Sequence, residues 1–307
     1  MSEQSLLPTF LVIGAAKCGT TSLHRYLRQH PEIFMPKKKE LHFFRREEPV
    51  DDEALQTYRH YFEPGAEYAV RGEATPAYFH WPDQTISTIR EVYDDKGTSL
   101  RFILILRDPV DRMWSQYLHL RRNGTESRSF SEVVDAIDPE DRTMYRDWRR
   151  TYFQEGLYAQ QMQSWLEVFD RKQFHVLLTR DLADDAPAAL QAIFSFLDVD
   201  PAHDIDTDRQ YNQASQPRSQ LFQSVLSSPP AWLYRATTAL LPLRTRRWIQ
   251  QQIRSWNQKP LDEKPDMPDE EQERVRWYYR RDVRELERLL DRDLSDWYTP
   301  NQPAPVS

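Results

Sequence analysis

The segment Gly14-Ala-Ala-Lys17-Cys18-Gly19-Thr20-Thr21-Ser22 carries the residues of an anion cradle. Glycine lets a backbone come close to a ligand, and the free N–H groups of a helix start point at negative charge. Lys17 adds a point charge. The two glycines have the spacing of a Walker A loop, yet the lysine precedes the second glycine, and Thr20 stands where Walker A has its lysine. The loop therefore suits a phosphate-like group gripped in another way. The bland alternative is an ordinary strand–loop–helix turn with an exposed lysine.

Arg107 and Ser115 form a second candidate anion site. Arg107 follows the apolar run Phe102-Ile-Leu-Ile-Leu106, and open α/β sheets place ligand groups at such strand ends. Ser115 lies two turns into the next helical stretch. An arginine fork with a hydroxyl suits a phosphate. Alone, the pair is better described as an Arg107 ion pair with Asp108 or Asp111 and a serine bonded to its own helix. Together, the two elements fit a ligand with a 5′-phosphate-type chain and a distinct 3′-phosphate.

In this arrangement the chain resembles sulfotransferases that use 3′-phosphoadenosine 5′-phosphosulfate (PAPS). Val12-Ile-Gly-Ala-Ala-Lys17-Cys-Gly-Thr-Thr-Ser-Leu23 with His30-Pro31 looks like their 5′-phosphosulfate loop. Leu104-Ile-Leu-Arg107-Asp-Pro109 through Ser115-Gln-Tyr117 looks like their 3′-phosphate motif. The nearest flavour is the heparan sulfate N- and 3-O-sulfotransferase group with related bacterial enzymes. The resemblance runs from about residue 10 to 200 and returns more weakly at 268–297.

It implies roles. Lys17 contacts the bridging oxygen and the transferring sulfuryl group. Cys18, Gly19, Thr20, Thr21 and Ser22 form the 5′-phosphate cradle, and Arg107 and Ser115 hold the 3′-phosphate. Cys18 is a small loop residue, because the transfer needs no covalent enzyme intermediate. Glu40, in Lys39-Glu40-Leu-His42-Phe-Phe44, aligns with the family's glutamate base, with His42 as helper or alternative base. Without the resemblance, this stretch reads as a solvated basic run beside a loop histidine. Glu73, in Gly72-Glu73-Ala74-Thr75-Pro76, is a second base candidate or a buried glutamate bonded to backbone. Ala74 stands where the animal 3-O-enzymes have a lysine, so acceptor specificity does not carry over. Arg218, in the late polar loop, is the candidate for closing over the nucleotide.

The co-substrate expected is PAPS, and the acceptor a hydroxyl, or less readily an amine, of a carbohydrate, lipid or small molecule. A sulfuryl group carries less charge than a phosphoryl group, so lysine and backbone dipoles can do the work of magnesium, and no metal is expected. A P-loop-like nucleotide kinase, which needs a Ser/Thr after a loop lysine, and a non-catalytic nucleotide-binding protein are the alternatives.

The elements that must position these residues alternate between strand and helix. Residues 10–14, 68–70, 101–106 and 174–178 read as strands. Residues 20–29, 83–93, 110–122, 157–169, 186–197 and 268–294 read as helices, and 32–50, 123–150 and 200–220 as loops. The expected fold is α/β, a P-loop-like three-layer arrangement with a central parallel sheet flanked by helices. The whole of 1–307 is expected to be one domain. Its core spans about 8–200, a nucleotide-covering loop and lid-like segment 200–267, and a C-terminal helix 268–298.

Composition narrows the class. The chain has 307 residues, 39% hydrophobic and 29% charged, with a net charge of −7. That acidity argues against a partner that is a nucleic-acid polymer and confines anion binding to a local pocket. One cysteine excludes an internal disulfide and a cysteine-ligated zinc site. No apolar stretch nears the roughly 20 residues that span a bilayer, and the first residues lack signal-peptide features, so a cytoplasmic location is expected. Residues 225–259 hold Trp232, Tyr234, Trp248 and Trp256 with six basic residues and no acids. They read as a helical lid packed on the core, or as a peripheral membrane contact.

Overall fold

The computed structural model describes residues 6–93, 99–143, 151–207 and 265–299, and the backbone of 215–217 and 258–260. Five strands form the central sheet: β1 (Phe10–Gly14), β2 (Ile33–Phe34), β3 (Val70–Ala74), β4 (Arg101–Leu106) and β5 (Phe174–Leu178). Their order is β2-β3-β1-β4-β5, and every pairing is parallel. The expected α/β architecture is what the structure shows.

Every residue of β1 is buried, as is β4 after Arg101. Helices cover both faces of such a sheet, so its strands read as unbroken apolar runs. The first helices are α1 (Thr20–Leu27), α2 (Asp52–His60), α3 (Ala77–His80) and α4 (Pro82–Val92). Then come α5 (Pro109–Arg122), α6 (Phe130–Asp135), α7 (Tyr158–Leu166), α8 (Thr179–Asp184), α9 (Ala186–Phe196) and the long α10 (Asp269–Leu290). Residues 215–217 pair antiparallel with 258–260.

The strand order places the functional loops. From β1 the chain passes to one side of the sheet through β2 and β3, then to the other through β4 and β5. The reversal opens a crevice beyond the carboxyl end of β1, between β3 and β4, where open α/β sheets bind ligands. The loops after β1, β3 and β4 meet there, and the one after β2 leads to Glu40.

Besides the pairing of 215–217, which the sequence reads as loop, three element expectations need correction. Residues 32–50 are not all loop, since Ile33–Phe34 pairs with Val70–Arg71 at the sheet edge. The strand expected at 68–70 runs instead through Val70–Ala74, with Gly72 and Glu73 inside it. The pair fits a strand because β3 lies against Phe10 at Gly72, and the Glu73 carboxylate is hydrogen-bonded. The stretch 123–150 contains α6, opened by a reciprocal Ser129/Glu132 capping box. Arg146, Arg149, Arg150, Arg218 and residues 225–257 lie outside the described residues.

Candidate active site

The cradle follows β1 directly. Gly14 is required by close approach, because a Cβ there would stand 2.6 Å from the Cβ of Phe79. Gly19 occupies the N-cap of α1 with φ 98°, a left-handed conformation that favours glycine. No side chain caps α1, and a helix start points its N–H groups toward negative charge. The loop is held from three sides. The Ala15 N–H donates to Ile105 O at 2.8 Å, the Ala16 N–H to His80 Nε2 at 3.2 Å, and Thr179 Oγ1 to Cys18 O at 2.9 Å. Because Nε2 of His80 accepts, its Nδ1 carries the proton and donates to Gln161 Oε1 at 2.9 Å.

Lys17, within this loop, has φ 67°. Burial, then the guanidinium groups of Arg122 and Arg112, push its pKa down to about 8. The Cys18 thiol is fully buried, 3.5 Å from Tyr158 Oη, and its N–H donates to Ala15 O. Its side chain thus packs into the core and does not line the cradle. Thr20 is buried beneath Lys39, whose Nζ donates to Thr20 Oγ1 at 3.1 Å and to Glu40 Oε1 at 3.0 Å. Thr21 and Ser22 are half-buried in the first turn of α1.

Glu40 and His42 share a loop with backbone of the same unusual kind, φ 59° and 57°. Half of each side chain is exposed, and His42 Nε2 lies 3.8 Å from Glu40 Oε2. Burial and the nearby charges of Arg45, Lys38 and Lys39 lower the His42 pKa against the pull of Glu40. Burial also lowers that of Lys39, again against Glu40.

Glu73 is 2% exposed. It accepts from Tyr58 Oη at 2.9 Å, Tyr78 Oη at 2.7 Å and Thr75 Oγ1 at 2.9 Å. A carboxylate so enclosed reaches no acceptor, which removes it as a base candidate.

Arg107 stands at the end of β4, half-buried, and its Nη2 and Nε donate to Asp111 Oδ2 at 2.5 and 3.1 Å. Ser115 lies one further turn along the same face of α5 and is half-buried. A phosphate there must compete with Asp111 for the Arg107 fork.

One residue at the site went unnoticed in the sequence. His119 follows Ser115 by four positions on α5, and its Nδ1 accepts from Arg122 Nη2 at 2.9 Å. Burial, then Lys17 and Arg122, push its pKa down to about 4. It is therefore a neutral imidazole within the electrostatic reach of Lys17. The signal was the four-residue repeat Asp111, Ser115, His119 on one helix face.

A family model described as the sulfotransferase domain matches residues 7–286. The chain belongs to the sulfotransferase family. Relatives of this sulfotransferase domain include human carbohydrate sulfotransferase 15, 26% identical over 249 residues that cover 64% of this chain and 44% of that protein. Human heparan sulfate glucosamine 3-O-sulfotransferase 5 is 26% identical over 200 residues, covering 64% and 54%. The chain spans about half the length of these curated relatives. Among solved structures, a sulfotransferase from Alicyclobacillus acidocaldarius superposes with a TM-score of 0.66 at 28% identity, covering 95% of this chain and 99% of that one.

Proposed function

We propose that this sulfotransferase-family protein moves a sulfuryl group from PAPS to a carbohydrate hydroxyl, with Glu40 as proton acceptor. The observation that carries the reading is the lysine link between the two halves of the site. Lys39 touches Thr20 of the cradle and the carboxylate of Glu40 at once. The base candidate therefore stands one side chain away from the phosphate grip, as an in-line transfer requires.

The acceptor oxygen forms a bond to sulfur as the bond from sulfur to the bridging phosphate oxygen breaks. The hydroxyl proton passes to Glu40. Lys17 and the N–H groups at the start of α1 stabilise the charge that develops on the departing 5′-phosphate. Arg107 and Ser115 hold the 3′-phosphate. The carbohydrate reading draws support from the named relatives and from Lys38, Lys39 and Arg45 around His42, which favour an anionic sugar.

Calorimetry tests the donor. Adenosine 3′,5′-bisphosphate should bind at least about tenfold tighter than ADP, equivalent to about 1.4 kcal/mol for the 3′-phosphate contacts. Equal affinities would remove Arg107 and Ser115 from the site. A Glu40→Gln variant should keep adenosine 3′,5′-bisphosphate affinity within about twofold and lose turnover by about 10²–10⁴-fold. Retained turnover would pass the proton to His42 or to the neutral His119.

A further inference from the structure

The backbone of the Glu40 loop is hung almost entirely on one partner segment. The Glu40 N–H donates to Ala74 O at 2.9 Å, and the Leu41 N–H to the Glu73 carboxylate. The His42 N–H reaches Thr75 Oγ1 at 3.5 Å, and the Phe44 N–H reaches Tyr78 Oη at 3.2 Å. Two of these acceptors are hydroxyls, and a hydroxyl has a single proton to give. Thr75 and Tyr78 both give theirs to Glu73. Only then do their oxygens face the loop as acceptors.

The polarity of the network thus begins at Glu73, an acceptor-only group when ionised. Burial raises its pKa, and the donors from Tyr78, Thr75, Tyr58 and Leu41 pull against that rise. Burial raises the phenol pKa of Tyr58 and Tyr78 far enough that both stay protonated donors.

The same segment grips the cradle from its other side. The Thr75 N–H donates to Val12 O at 3.1 Å in β1, and His80 accepts from Ala16. Residues 73–80 therefore span from the loop that carries Glu40 to the loop that carries Lys17.

We propose that Glu73 is a positioning residue for the transfer: it sets the direction of the Thr75 and Tyr78 hydroxyls and so holds Glu40 at a fixed distance from Lys17. This rests on the reading of Glu40 as proton acceptor. Glu73→Gln places an NH₂ donor among donors, and Thr75→Val removes one link without changing shape. Both should speed hydrogen exchange at 40–44 and leave adenosine 3′,5′-bisphosphate affinity within about twofold.

With PAPS and a uronic-acid glycan as probe acceptor, kcat should fall about 10²-fold, the scale of a small misplacement of a reacting group, with little change in KM. Thr75→Ser should restore most of the loss. Unchanged exchange at 40–44 in Glu73→Gln overturns the proposal whatever the acceptor. A near-normal kcat in Thr75→Val beside an inactive Glu40→Gln overturns it and leaves the base assignment standing. An active Glu40→Gln sinks that assignment and the positioning role with it.

Discussion

Lys17, Glu40 and His42 were picked out by residue type, spacing and resemblance, and the structure adds an independent mark. Among the described residues, the non-glycine positions with positive φ are these three, Asp198 and Asp291. Left-handed backbone in a side-chain-bearing residue is strained and gathers at functional sites. No sequence pattern carries that information, because the conformation is imposed by the hydrogen bonds of neighbouring loops. The role of His119 and the contact of Lys39 with Thr20 were hidden for the same reason, since both depend on what lies across the crevice. Lys17 also titrates in a useful range. Its pKa of about 8 lies below the ordinary 10.5, so the free protein loses this cation as pH rises through 8. A bound 5′-phosphate favours the charged form and raises that value, so binding above pH 8 takes up a proton. Affinity for adenosine 3′,5′-bisphosphate should hold steady below about pH 7.5 and fall toward about tenfold per pH unit above 8. Lys17→Met should bind more weakly with a flatter profile. Calorimetry from pH 7 to 9.5 in constant ionic strength checks both, and a flat wild-type profile would contradict the lysine contact.

At the scale of elements, legibility followed burial. β1, β4 and β5 are apolar runs inside a covered sheet, and their limits match the sequence expectation. β3 escaped because its centre is Gly72-Glu73, whose fit depends on Phe10 and on the hydroxyls around Glu73. α6 had a readable capping box, but its six residues are too short for helical periodicity to show. α5 gives the clearest functional element. One face carries Asp111, Ser115 and His119, so a single helix aligns the end of β4 with the reacting end of the site. It also explains why Arg107 reads both as an ion-pair partner and as a phosphate ligand: Asp111 is one turn before Ser115 and occupies the fork in the free protein. Replacing Asp111 by Asn removes the competitor and one negative charge. Adenosine 3′,5′-bisphosphate should then bind several-fold tighter, with ADP little changed. A weaker 3′-phosphate preference in Asp111→Asn would mean that Asp111 orients Arg107 instead of competing for it.

The whole molecule ties its late helix to its first loop. Of the helical stripe Val275, Tyr279, Val283, Leu286 and Leu290 along α10, the first four are fully buried and Leu290 is half-buried. What the spacing did not show is the polar bolting. Asp282 accepts from the N–H groups of Ala159 and Gln160 at 3.0 and 3.2 Å, capping α7 from another helix. The Tyr279 hydroxyl lies 2.9 Å from Phe153 O and 3.3 Å from Tyr152 O. Arg112 of α5 donates to that same Tyr152 carbonyl and pairs with Glu155 at 3.1 Å, and its charge helps to depress Lys17. A chain of buried contacts therefore runs from α10 through residues 152–155 to Arg112 of α5, whose charge acts on Lys17 of the cradle. Tyr279→Phe keeps the ring and removes the hydroxyl, leaving the Phe153 carbonyl with the Gly156 N–H at 2.9 Å. Loss of one such hydrogen bond costs about 0.5–1.5 kcal/mol. Urea denaturation should show a lower midpoint with an unchanged slope. Affinity for adenosine 3′,5′-bisphosphate, measured where the variant is folded, should stay within about twofold, because Arg112 keeps Glu155 and its charge. An unchanged midpoint would show that the hydroxyl contributes nothing to the docking of α10. A lower midpoint with a much weaker nucleotide affinity would show instead that the late helix sets the cradle itself.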